Sequence, residues 1–147
     1  MDFDTKVKLH LYETIARTTQ APSSREVAAA LNATLAEVEA AFSNLHKKKL
    51  LVPEPDNPSR IRMAPPFSGI PTSFRVKVQE KNYYANCSWD ALGVPAALHQ
   101  DAVVEAEDGY SGEPIVLEIR NGLPVPVSCV FHFAVPAAQW WDDIIYT

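Results

Sequence analysis

The apolar residues of this chain change their spacing at one Pro/Gly-rich stretch, and that change sets the fold class. Before it, Val7, Leu11 and Ile15 stand four apart, which puts them in one stripe down a helix. Ser23 with Glu26, and Thr34 with Glu37, have capping-box spacing, in which side chains and backbone N–H groups satisfy each other at a helix start. Val27 and Leu31 follow the first box, and Asn32 is a natural stop. Leu35, Val38, Phe42 and Leu45 follow the second. Lys47, Lys48 and Lys49 close that helix, where positive charge suits the dipole. Leu50-Leu51-Val52 and Ile61-Arg62-Met63 read as two short strands around the turn-rich PEPDNPS. Residues 1–63 are therefore predicted to be a winged-helix-like unit of three helices and a hairpin.

Residues 64–71, APPFSGIP, read as a linker poor in regular structure. Beyond it, residues 72–147 carry strand patterns at Phe74–Val78, Ala102–Glu107, Pro114–Arg120 and Pro126–Phe133, punctuated by Gly109, Gly112, Asn121 and Gly122. One helix is expected from near Cys87 to about Leu98, interrupted or kinked by Pro95. The expected class is α+β: the helical unit, then a mixed or antiparallel β-rich core with short helices.

The chain of 147 residues is long enough to bury a real core. It has no apolar run long enough to cross a membrane, and MDFDTKVKLH places charges where a signal peptide needs apolar residues. A cytoplasmic protein is expected. Residues 1–63 hold 9 Lys/Arg against 8 Asp/Glu, and the remainder holds 4 against 10. A nucleic-acid partner is disfavoured by this acidic balance. Glu37 and Glu39 also lie at the end of the third helix that would meet phosphates. Cys87 and Cys129 are the two cysteines. A cytosolic disulfide is not expected, and two thiols do not complete a structural zinc site alone.

The segment NYYANCSWDALGVPA, residues 82–96, carries the candidate chemistry. Cys87 sits where an extended stretch hands over to a helix. Backbone N–H groups at a helix start stabilise a thiolate and lower its pKa. Asp90, three residues on, shares a face with Cys87 if the helix begins there. Two readings stay open on these residues alone. One is a nucleophile with an adjacent proton carrier. The other is a half-buried cysteine beside an aspartate that simply suits a first helical turn.

Three segments, PFSGIPTSFRV, YYANCSWDALGVPAALH and EPIVLEI, resemble in content and order the organomercurial (alkylmercury) lyase family. The resemblance spans roughly residues 60–120. It implies that Cys87 is the attacking thiolate, binding the mercury of substrate and product, and that Asp90 handles the proton. It implies protonolysis of a carbon–mercury bond without an organic cofactor. An external thiol then serves turnover, and a thiol-bearing acceptor takes Hg(II). The family has a second cysteine, for which Cys129 is the candidate here. By the family's spacing that cysteine falls at or beyond the end of this chain, so the chain reads as a divergent or C-terminally shortened member.

Other residues are assigned more simply. Cys129, on the expected strand Pro126–Phe133, reads as a small apolar residue on a strand face. His132 would then face the other side, which disfavours a metal pair. Trp89 and Tyr84 are candidates for the substrate pocket. Trp140 and Trp141 read as core packing of a terminal helix in preference to a wall for the organic group. Two rival functions remain beside the lyase. One is a thiol-based mercury- or metal-binding protein without turnover. The other is a winged-helix regulator with a lyase-like sensor domain.

Overall fold

The computed structural model describes residues 1–145; Tyr146 and Thr147, the last two residues of the expected second unit, lie outside the described residues. The chain opens with α1 (Phe3–Thr18), α2 (Ser24–Leu31) and α3 (Leu35–Lys47). Val7, Leu11 and Ile15 are buried as one stripe of α1. Both capping boxes form: Glu26 accepts from the Ser23 backbone N–H, and Glu37 from that of Thr34. Asn32 ends α2 in the left-handed conformation, which Asn tolerates better than most residues. Asp2 caps α1 by accepting from the Thr5 N–H.

A hairpin follows, β1 (Val52–Glu54) and β2 (Asn57–Ala64). Its strands run further into PEPDNPS than expected, leaving only Pro55 and Asp56 between them. Pro53 is tolerated because β1 is an edge strand. The stretch 64–71 is also more regular than expected. Phe67–Ser68 forms β3, which pairs with β2 on one side and with β5 (Lys81–Ala85) on the other. Phe67 and Ser68 are both buried. Gly69 permits this path, because a Cβ there would overlap the backbone carbonyl of Ile61.

The remaining strands are β4 (Phe74–Val78), β6 (Ala102–Glu107), β7 (Pro114–Arg120) and β8 (Leu123–Pro124). The described strands form one antiparallel sheet in the order β1-β2-β3-β5-β4-β6-β7-β8. Alternation gives it two unlike faces. Val76, Val104 and Leu117 stand in register on the buried face, and Arg75, Glu105 and Val116 stand in register on the exposed one. Helix α4 (Ser88–Leu98) packs on β4, β5 and β6. Pro95 lies inside α4 without ending it. One apolar cluster joins α1–α3, α4 and the buried face of the sheet. No described helix is long and apolar enough to cross a membrane.

The expected strand Pro126–Phe133 does not form. Pro126 lacks the backbone N–H that a ladder requires, and strand pairing stops just before it, at Pro124. The chain continues without regular structure to a 3₁₀ turn at Ala137–Asp142.

Gly69→Ala is expected to destabilise the protein by about 1–3 kcal/mol, the range for forcing atoms into a packed site. Gly109→Ala, where an added Cβ meets nothing within 4 Å, serves as the control. Thermal unfolding of the two variants checks this; equal midpoints would mean that β3 does not need the close approach.

Candidate functional site

The site is built where β5 ends and α4 begins. Ala85 closes β5 fully buried, and its carbonyl accepts from Thr72 Oγ1 at 2.6 Å. Only Asn86 and Cys87 separate β5 from α4. Cys87 is the N-cap residue, with extended backbone (φ −154°, ψ −178°), and its carbonyl takes the first helical bond from the Ala91 N–H at 2.9 Å. Asp90 falls in the first turn.

Cys87 and Asp90 line one cavity of about 670 Å³. Met63, Phe133, Trp140 and Trp141 give it an apolar, largely aromatic wall, and Lys49 and His132 are its basic residues. The two tryptophans are thus not core packing of a terminal helix, as expected. They sit on a short 3₁₀ turn with no buried residue. Trp140 Nε1 donates to the Val135 carbonyl at 3.1 Å, and its ring lies 5.1 Å from that of Phe133. Trp89 also lines the cavity while remaining 61% exposed. Tyr84 is not among the lining residues. Its neighbour Tyr83 points inward, its hydroxyl donating to the Ala16 carbonyl at 2.7 Å, and alternation sends Tyr84 to the other face of the sheet.

The electrostatics of the pair differ from the expectation. Burial pushes the Cys87 thiol up, and the nearby Asp90 carboxylate adds to that; the backbone N–H groups of Asp90 and Trp89 pull it down without cancelling the rise. A helix start alone would have lowered it. Here loss of water outweighs those N–H dipoles. Burial also raises Asp90, while the bond from Asn86 opposes the rise. Asn86 Nδ2 donates to Asp90 Oδ2 at 2.8 Å and to the Phe67 carbonyl at 3.2 Å.

Two contributors escaped the sequence. Tyr12, on α1, lies within electrostatic reach of Asp90: burial and then the Asp90 charge raise its phenol. Its hydroxyl donates to the Pro65 carbonyl at 2.9 Å. Nothing local in the sequence links a residue of the first helix to Asp90. Asn86 had a local signal, since Asn is a frequent side-chain donor at strand and helix ends.

Cys129 is half-buried in the irregular segment. It lines a second cavity of about 560 Å³, with Val104, Leu117 and Phe131. The two cavities share Phe74, Ser88 and His132. Without a regular strand, Cys129 and His132 are not held on opposite sides, and both line this second cavity. Among the described residues, no group of three or more His, Cys, Asp or Glu is placed to hold a metal ion.

Comparison with known proteins agrees with this architecture. The family model for alkylmercury lyase, MerB, matches residues 67–147. The solved structure of the mercury-bound form of MerB2 superposes with a TM-score of 0.68 at 22% identity, over 87% of this chain and 61% of that one. This chain thus spans less than two thirds of that structure. No curated protein sequence matches it. Since the family model covers more than half of its length, from β3 through the segment that lines both cavities, the chain belongs to the alkylmercury lyase family.

Proposed function

We propose that this protein is an organomercurial lyase that cleaves carbon–mercury bonds by protonolysis, with Cys87 as nucleophile and Asp90 as proton donor. The observation that carries the reading is the presence of a half-buried thiol and a half-buried carboxyl in the wall of one aromatic-lined cavity. Mercury is soft and prefers thiolate sulfur. As R–Hg binds, the Cys87 proton leaves and Asp90 takes it. The product of this step is Cys87–S–Hg–R beside a protonated Asp90. Asp90 then delivers the proton to the carbon bound to mercury. The electron pair of the C–Hg bond becomes the new C–H bond, R–H departs, and Hg(II) keeps its oxidation state. Asp90 returns to its carboxylate, so it serves twice.

Burial suits both tasks. A desolvated carboxylate is a stronger base towards the thiol, and its acid form persists to higher pH. Metal binding displaces the thiol proton, which offsets the raised Cys87 pKa. The reaction needs no organic cofactor, since no electrons leave the substrate. An external thiol would complete the coordination of Hg(II), and a thiol-bearing acceptor would remove it. The setting we infer is cytoplasmic. Trp89, Trp140 and Trp141 would shelter the organic group from water.

One observation favours a second reading. Cys87 and Cys129 line different cavities, so a mercury-binding protein without turnover is the alternative. A regulator that reads DNA is less favoured. Glu37 at the start of α3 is engaged in its capping box, and Glu39 adds negative charge beside it.

With phenylmercury and excess small thiol, wild-type protein is expected to release benzene. Cys87→Ser should abolish release. Asp90→Ala should slow it by about 10²–10⁴-fold, the usual contribution of a positioned acid. Cys129→Ser should release benzene at near the wild-type rate. Stoichiometric phenylmercury binding without benzene would replace the lyase by the binding reading.

Asp90→Asn is expected to stabilise the protein at pH 7 while slowing release. Burial holds the folded-state pKa of Asp90 above 3.8, so between those two values the folded form retains a proton that the unfolded form sheds. Stability from this group is therefore lost as pH rises through the folded-state value. A neutral amide escapes that cost. Thermal midpoints at several pH values check this: the gain should be clear at pH 7 and shrink as pH falls towards 3.8. Equal midpoints at pH 7 would mean that burial does not penalise the carboxylate.

A further inference from the structure

We propose that Asn86 is a positioning residue for the proton transfer, tethering one oxygen of Asp90 to strand β3 and leaving the other to deliver the proton. This deepens the lyase reading and rests on it. The carboxamide has two N–H donors. One binds Asp90 Oδ2 at 2.8 Å, and the other binds the Phe67 carbonyl at 3.2 Å. Both partners are acceptors, so the amide can face them only through nitrogen. The reversed rotamer would set its oxygen against two other oxygens.

The rest of the carboxamide reinforces this. Asn86 Oδ1 is buried and has no hydrogen-bond partner among the described residues. Such an acceptor is costly to bury, so the orientation is held by what nitrogen gains. Asn86 engages Asp90 at Oδ2 and not at Oδ1. Among the described residues, Asn86 is the side chain that hydrogen-bonds Asp90. With Oδ2 occupied by an N–H, the proton of the acid form belongs on Oδ1. Asn86 thereby selects the oxygen that carries it.

The tether joins three parts of the fold. Phe67 lies in β3, Asn86 follows β5, and Asp90 lies in the first turn of α4. Phe67 is 3% exposed and packs its ring on Tyr83 and Tyr12. The anchor for Asp90 is therefore a core strand. Rigid support of this kind keeps a reacting group within the small error that catalysis tolerates.

The test measures two steps in the whole protein. Phenylmercury capture by Cys87 is followed as a mass increment, and benzene release from that adduct is followed in a single turnover. Asn86→Leu removes the donors while keeping the branching of the side chain. It should still capture phenylmercury stoichiometrically, while release slows about a hundredfold, of the order expected when a reacting group is misplaced by about 1 Å. Asn86→His, whose Nδ1–H reaches a similar place, should recover most of the rate. In an Asp90→Ala background, Asn86→Leu should slow release no further, because it acts through Asp90. If Asn86→Leu does not fold, Asn86→Ser, too short to reach Asp90, takes its place. Wild-type release with an undiminished rate in the leucine or serine variant would overturn the positioning role alone. So would a further loss in the Asp90→Ala background. A wild-type adduct that never releases benzene would sink the lyase reading and this inference with it.

Discussion

The chain leaves a buried strand at Ala85 and begins a helix at Ser88, and everything at the candidate site depends on how two residues span that step. The strand end is held by Thr72, whose hydroxyl donates to the Ala85 carbonyl. The helix start is held by Asn86, whose amide reaches both the Phe67 carbonyl and Asp90. Cys87 lies between these anchors with extended backbone. Its sulfur and the Asp90 carboxyl are brought into one cavity by backbone geometry. Pre-set geometry of this kind would spare the proposed reaction the entropy of assembling its groups.

Burial is the second constraint, and it acts on both groups in the same direction. Desolvation raises the thiol and the carboxyl alike. A free cysteine so placed would be a poor nucleophile towards most electrophiles. Mercury changes that balance, because a soft cation displaces the proton from sulfur. Under the proposed mechanism the thiol would become reactive on meeting the metal and stay quiet otherwise. The same burial makes Asp90 a charge that the folded state holds at a cost.

The N-terminal helices belong to this arrangement more closely than a separate unit would. Tyr12 on α1 bonds the Pro65 carbonyl and lies within electrostatic reach of Asp90. Tyr83 and Lys81 of β5 both bond the Ala16 carbonyl at the far end of the same helix. The sheet runs without a break from β1 of the hairpin to β8, so α1–α3 and the site share one core.

Local chemistry made much of this legible in advance. Capping boxes, apolar stripes and strand alternation involve residues a few positions apart, so they mark α1–α3, β4, β6 and β7 by spacing alone. The spacing of Cys87 and Asp90 at a strand-to-helix handover is local in the same sense, and so is their resemblance to the alkylmercury lyases. Tertiary structure decided what spacing cannot express. Phe67–Ser68 became a strand because β2 and β5 offer it partners on both sides. Pro126–Phe133 did not, because Pro126 lacks a donor at its start and no described strand pairs with it. Trp140 and Trp141 joined the cavity and not the core, and Tyr84 turned away from it, because a side chain's surroundings depend on which distant segments meet it. The direction of the Cys87 shift was decided in the same way. The helix start was visible in the sequence, but desolvation comes from the whole fold, and here it outweighs the local dipoles.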